Sequence, residues 1–85
     1  VDRELRLRRL TVDEALFRLD QYLNDAFMAG LPFVRIIHGK GTGTLRCAVH
    51  DVLAKHPLVE SFRLGGYGEG DYGITIVELA NRSET

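Results

Sequence analysis

FVRIIHGKGTGTLRCAVHDVLAKHP, residues 33–57, decides how this chain folds. Its first five residues, FVRII, form a short apolar run that reads as a central strand. HGKGTG, residues 38–43, then breaks the run with three glycines in alternation. From Leu45 on, the period changes. Leu45, Ala48, Val49, Val52, Leu53 and His56 fall on one helical face, and Pro57 limits the helix. Taken at about 100° per residue, Cys47 lies opposite Val49 on the polar side. The stretch is therefore strand, glycine loop, helix.

Working outward, ELRLR (residues 4–8) alternates charged and apolar side chains, the pattern of a half-buried strand. Leu5 and Leu7 face inward; Arg6 and Arg8 face out. Thr11-Val-Asp-Glu14 reads as a capping box, with Leu10 placed to staple onto Ala15. The helix it opens carries Val12, Ala15, Leu16, Leu19, Leu23, Ala26 and Phe27 on one stripe, and Gly30 stops it. On the other side, VESFRL (59–64) reads as a third strand. A glycine-rich turn spans 65–73, and the β-branched ITIVEL (74–79) reads as a fourth strand. The order is β-α-β-α-β-β. Strands joined through helices run parallel with right-handed crossovers, so the first three strands are parallel. The hairpin makes the fourth antiparallel. The most apolar strands belong in the centre, which gives sheet order 1-2-4-3 with both helices on one face. This is an α/β chain of the two-layer α+β sandwich type.

The chain has 85 residues, enough for one small core. We expect a single domain over residues 1–80 and a frayed tail over 81–85. The sequence starts at Val1 and enters a patterned segment at once, as expected for a domain excised from a longer protein. No apolar run approaches the roughly 20 residues of a membrane helix, and VDRELRLRR is no secretory leader. One cysteine excludes an internal disulfide. It fits a reducing, cytoplasmic setting. His38, His50 and His56 lack metal-ligand spacing, so no metal site is read from the residues. Net charge is −1, but residues 1–50 hold eight Lys/Arg against six Asp/Glu, and residues 51–85 hold three against six. A local basic patch of Arg6, Arg8, Arg9, Arg35, Lys40 and Arg46 is compatible with nucleic acid; a solvated charged surface is the plainer alternative.

The topology brings three loops to one rim, where α/β sheets bind ligands. Arg8 and Arg9 end the first strand, His38–Gly43 follow the second, and 65–73 joins the third to the fourth. In HGKGTG, glycine lets backbone approach a ligand. The loop opens a helix whose first N–H groups favour an anion. Lys40 adds charge, and His38 can exchange a proton near neutrality. The set suits a phosphate. It is not a P-loop, because Lys40 sits between the first two glycines, and it is not GxGxxG, because position 44 is Thr. On local grounds a turn that simply needs glycine, with His38 bonded locally, stays open.

LTVDEAL (10–16), VRIIHGKGTGTLR (34–46) with HGxG at His38–Gly41, HPLVESFRLG (56–65) and GEGDYGITIVEL (68–79) carry a resemblance. From about Leu5 to Leu79 the chain resembles the Small MutS-Related (Smr) domain, in particular the C-terminal domain of bacterial MutS-like proteins of the second type. The resemblance implies a β-α-β-α-ββ sandwich similar to the C-terminal domain of translation initiation factor three. It implies binding of DNA or RNA, in several members nicking endonuclease activity. It implies a parent protein with preceding ATPase domains, linked to suppression of recombination, DNA repair or stalled ribosomes. One departure bears on chemistry. The family's first strand usually reads LDxRG; here it reads Leu5-Arg6-Leu7-Arg8-Arg9. Arg8 matches, but arginines replace the acid and the glycine. A carboxylate can activate water or hold a metal; arginine only binds and neutralises phosphate. Glu69 and Asp71 are the remaining carboxylates near the rim.

On this resemblance His38 is the expected general acid or base. Lys40 and Arg8 stabilise phosphate charge, and the N–H groups of Gly39, Gly41 and Gly43 cradle its oxygens. Arg9 and Arg46 extend the basic track. Arg35 faces away from Val34 and Ile36, where it either contacts the ligand or is a plain solvent-facing arginine. The residues demand no cofactor; a nuclease reading admits a divalent Mg or Mn ion. The alternative is a docking module for DNA, RNA or a ribosome without chemistry. A third is a protein–protein module using the uncovered sheet face, for which an apolar patch around Ile37 and Val77 would speak.

Overall fold

A computed structural model describes residues 1–66, 68 and 73–80. The elements are β1 (Glu4–Arg6), α1 (Val12–Met28), β2 (Phe33–Ile37), α2 (Thr44–Lys55), β3 (Val59–Leu64) and β4 (Ile74–Leu79). They build one four-stranded sheet in the order β1-β2-β4-β3. β1 runs parallel to β2, and β4 runs antiparallel to both β2 and β3. The predicted order and directions are those observed. The predicted tail, 81–85, lies outside the described residues, as do Glu69 and Asp71.

Pairing assigns the two faces. Leu5 pairs with Ile36, Ile36 with Thr75, and Val34 with Val77. These residues share the helix-covered face, because side chains alternate along a strand and directly paired residues point the same way. Leu7, Val34, Ile36, Val77 and Leu79 meet Ala15, Leu19, Leu23 and Ala26 of α1 and Val49 and Leu53 of α2 in one buried cluster. Val77 thus belongs to the core and not to an exposed patch. Arg6 pairs with Ile37 and Arg35 with Ile76 on the uncovered face. There Arg35 forms an ion pair with Glu4 at 3.3 Å.

Local chemistry sets the ends of α1. The Thr11 hydroxyl accepts from the Glu14 N–H at 3.2 Å, and the Glu14 carboxylate accepts from the Thr11 N–H at 3.0 Å. At the other end Gly30 takes φ +79. Gly30 N–H donates to Phe27 O, and Leu31 N–H donates to Ala26 O. These two bonds satisfy carbonyls the helix leaves open. α2 ends at His56, whose Nδ1 accepts from the Leu58 N–H at 3.1 Å and whose Nε2 meets Asp20 Oδ1 of α1 at 3.0 Å. One imidazole therefore ties the end of α2 to α1. No helix among the described residues is long and apolar enough to cross a membrane.

The first strand is shorter than its alternation predicts. It ends at Arg6, and residues 7–10 form a turn closed by Leu10 N–H to Leu7 O at 3.3 Å. The alternation continues through Leu7, which is fully buried, but Arg8 and Arg9 belong to the turn. Arg9 has φ +71, the one non-glycine with positive φ among the described residues. A tight turn with left-handed geometry at its third position favours glycine. This is the position where the family pattern carries one.

Candidate nucleic-acid interface

The loop after β2 is held from β4. The Gly73 carbonyl accepts from both the His38 N–H and the Gly39 N–H, each at 3.0 Å. This corrects one expectation. The Gly39 N–H is spent inside the fold, because φ +84 at Gly39 accompanies an N–H bonded to β4's approach, away from a ligand. Gly39 contributes instead by lacking a side chain. A Cβ there would lie 3.4 Å from Arg8 Cγ, so the arginine stem crosses bare backbone. Gly73 does the same for Lys40, whose Cγ would sit 3.4 Å from a Cβ. The stems of Arg8 and Lys40 thereby both pack against glycine backbone at this loop.

At the end of the loop Gly43 caps α2 with φ +88 and offers no side-chain hydrogen bond. The Thr42 hydroxyl accepts from the Thr44 N–H at 3.3 Å and also bonds the Thr44 hydroxyl at 2.9 Å. The N–H groups of Leu45 and Arg46 have no acceptor among the described residues. Arg46 folds back over the helix start, with Nη2 2.9 Å from where a Gly43 Cβ would be. A helix N-terminus already carries partial positive charge. Here no acidic residue offsets it, in contrast to α1 with Asp13 and Glu14 in its first turn. A guanidinium is added instead. A cleft of about 370 Å³ runs between this loop and the start of α1, walled by Leu10, Thr11, Val12, Gly41, Thr42, Gly43, Leu45 and Arg46.

His38 lies at the back of this cleft and is only 5% exposed. It points into the helix-covered layer, two residues beyond Ile36. Nδ1 meets Gly39 O at 3.1 Å and Nε2 meets Thr75 Oγ1 at 2.8 Å. Burial pushes its pKa below the usual value; the Gly39 carbonyl opposes this, and Arg46 adds to it. His50 of α2 reaches the same hydroxyl, Nε2 to Thr75 Oγ1 at 2.7 Å. Its pKa is lowered too, by burial first and then by His38 and Arg46, against Asp51. The ring of His50 rests on Phe62, centroids 5.0 Å apart.

The structure therefore gathers Arg8, Gly39, Lys40, Gly41, Gly43 and Arg46 around the loop, with His38 behind it. Arg9 stands in the adjoining turn, exposed. Arg6 and Arg35 lie on the other face of the sheet. Sequence reasoning missed His50 and Thr75. Thr75 left a signal: it is the one hydroxyl in the inward register of ITIVEL. His50 left none, because only the packing of α2 brings it to β4. Among the described residues no three His, Cys, Asp or Glu side chains come together as a metal site.

Comparison with known proteins places the chain. The Smr domain family model matches residues 5–80. Endonuclease MutS2 of Pelotomaculum thermopropionicum is 58% identical over 77 residues, covering 91% of this chain and 10% of that protein. Endonuclease MutS2 of Thermomicrobium roseum is 58% identical over 79 residues, covering 93% and 10%. The chain spans about a tenth of the length of these curated relatives. The crystal structure of the Smr domain of Thermus thermophilus MutS2 superposes with a TM-score of 0.89 at 48% identity, covering 91% of this chain and 96% of that one. YdaL, a stand-alone small MutS-related protein from Escherichia coli, superposes with a TM-score of 0.86 at 27% identity, covering 92% and 64%. With the family model matched over residues 5–80 and the fold superposing on a solved Smr domain over 91% of its length, the chain belongs to the Smr domain family.

Proposed function

We propose that this domain binds the phosphate backbone of DNA or RNA at the rim formed by Arg8, the 39–43 loop and the start of α2. It does so as the nucleic-acid-processing part of a longer, cytoplasmic MutS-like ATPase acting in recombination control, DNA repair or on stalled ribosomes. The observation that carries this is the start of α2, where the Leu45 and Arg46 N–H groups have no acceptor among the described residues and the Arg46 guanidinium folds over them. A phosphate there receives the Leu45 and Arg46 N–H groups, and Gly41 and Gly43 let it approach. The guanidinium of Arg8 and the ammonium of Lys40 flank the same loop. Phosphate contacts of this kind position a nucleic acid without reading its sequence.

The relatives' name, Endonuclease MutS2, supports phosphodiester cleavage here. In that reading Lys40 and Arg8 stabilise the charge that builds on the phosphate, and His38 exchanges the proton. To do so, His38 must first release Thr75 or Gly39, because both ring nitrogens are engaged. That requirement, with arginine at position 6, favours a second reading: docking on DNA, RNA or a ribosome without chemistry.

Nicking of supercoiled DNA and of RNA, with and without Mg or Mn, separates the two. Cleavage that His38→Ala abolishes establishes the first; cleavage at full rate in that variant removes His38 from it. Inactivity on every substrate, with binding weakened by Arg8→Ala and Lys40→Ala, selects docking. Binding that ignores salt overturns both, since phosphate contacts release counterions.

A further inference from the structure

Behind the loop lies a polar chain of His50, Thr75 and His38, packed between α2 and β4, of which phosphate binding uses no member and the cleavage reading uses only His38. Its proton positions follow from what each atom can do. Gly39 O is a carbonyl and only accepts, so Nδ1 of His38, 3.1 Å away, carries the proton. A neutral ring then leaves a lone pair on Nε2. The Thr75 hydroxyl, at 2.8 Å, must donate its single proton there. With that proton used, Thr75 Oγ1 offers only lone pairs to His50 Nε2 at 2.7 Å, so His50 carries its proton on Nε2. The reverse order fails. If Thr75 donated to His50, the His38 proton would sit on Nε2, and the Nδ1 lone pair would face the Gly39 oxygen. Double protonation of His38 would bury a cation near Arg46, which burial and that charge both oppose. Thr75 is fully buried, and no buried side-chain polar atom among the described residues lacks a partner. The chain is thus saturated in one direction only.

We infer that Thr75 and His50 are positioning residues. Through the directed chain His50 Nε2–H to Thr75 Oγ1–H to His38 Nε2, they hold His38 in the Nδ1–H form, and that proton fixes the Gly39 carbonyl and so the path of the 39–43 loop. The chain joins α2, β4 and the loop after β2, three segments that only the fold brings together. His50 is braced in turn by Phe62 of β3. The part of this inference that concerns ligand binding rests on the phosphate reading of the loop; the proton assignment does not.

The test uses the 85-residue chain with labelled histidine nitrogens. Long-range proton–nitrogen correlation reads which ring nitrogen is protonated. The expected result is Nδ1–H for His38 and Nε2–H for His50 in the wild type and in Thr75→Ser. In Thr75→Val, which keeps shape but removes the hydroxyl, His38 becomes a mixture of tautomers. His50→Phe, which retains an aromatic ring against Phe62, shifts the His38 nitrogen signals in the same direction but less. Binding of a labelled oligonucleotide, single-stranded and duplex, is measured alongside. Thr75→Val weakens it about tenfold, the order of one lost hydrogen bond to a positioned group, and Thr75→Ser restores it. His38 protonated on Nε2 in the wild type overturns the inference. So does Thr75→Val with unchanged His38 signals, or Thr75→Ser that fails to restore them. If no variant, wild type included, binds either oligonucleotide, the phosphate reading fails while the nitrogen signals still decide the chain.

Discussion

Arg6 and His38 point to opposite faces of the sheet. Arg6 pairs with Ile37 on the uncovered face, and its side chain is 79% exposed, whereas His38 continues the register of Ile36 into the helix-covered layer. A carboxylate at position 6 would therefore not touch the His38 ring. Arg6→Asp leaves the His38 nitrogen signals unchanged. It alters stability by less than about 0.5 kcal/mol, since it breaks only an exposed contact with Glu4 at 3.8 Å. Chemical denaturation checks the second statement. Should Arg6→Asp raise nicking, the carboxylate acts from the sheet's other face at the rim, and His38 is not its partner.

Arg9 sits in the left-handed region at φ +71, where a side chain is strained. Arg9→Gly relieves that strain, and the greater freedom of glycine in the unfolded chain offsets part of the gain. The net expectation is stabilisation by about 0.5–1 kcal/mol, read from the urea midpoint. Arg9→Ala, which keeps the strain, does not reproduce it. If Arg9 also contacts phosphate, both variants lower the slope of log affinity against log salt by about 0.9.

Gly43→Ala strains a backbone at φ +88 and drives the new methyl against the Arg46 guanidinium. Arg46 moves off the start of α2. The expected stability loss is about 1 kcal/mol, the cost of left-handed geometry in a non-glycine residue. Oligonucleotide affinity falls further than in Arg46→Ala, because the loop shifts as well as the charge. A salt titration of Arg8→Ala, Lys40→Ala and Arg46→Ala reads one lost contact each, about 0.9 in slope per contact.

His38 and His50 have pKa values below the ordinary 6.5 because burial penalises the charged ring. Unfolding restores the ordinary value, so between the two pKa values the unfolded chain binds more protons. Stability from this source is complete above about pH 6.5 and is lost as pH falls toward the folded pKa values. Urea midpoints from pH 7.5 down to 5 check this. His50→Phe flattens the dependence; an unchanged slope in that variant removes His50 from it.

The element pattern was legible because each element announces itself locally. The capping box at Thr11–Glu14, the stop at Gly30 and the change of period after Gly43 act within one turn of the chain. Strand order followed from apolar content, since β2 and β4 are buried from both sides by neighbours. The end of β1 was not legible. Alternation runs on through Arg8, but the chain has already turned, and a left-handed arginine leaves no mark in a pattern of polarity.

The sequence by itself determined the β-α-β-α-β-β order, the loop between β2 and α2 and the basic residues beside it, because these depend on neighbours three or four positions apart. Only the tertiary structure decided what those residues do to one another. It turned the Gly39 N–H to Gly73 and laid Arg46 over its own helix start. It also joined His38 to His50 through the hydroxyl of Thr75. The Gly39–Gly73, His38–Thr75 and His50–Thr75 bonds cross 34, 37 and 25 positions along the chain. No local period encodes separations of that size; they exist because burial of one apolar layer presses α2 against the sheet and leaves its few polar groups only each other as partners.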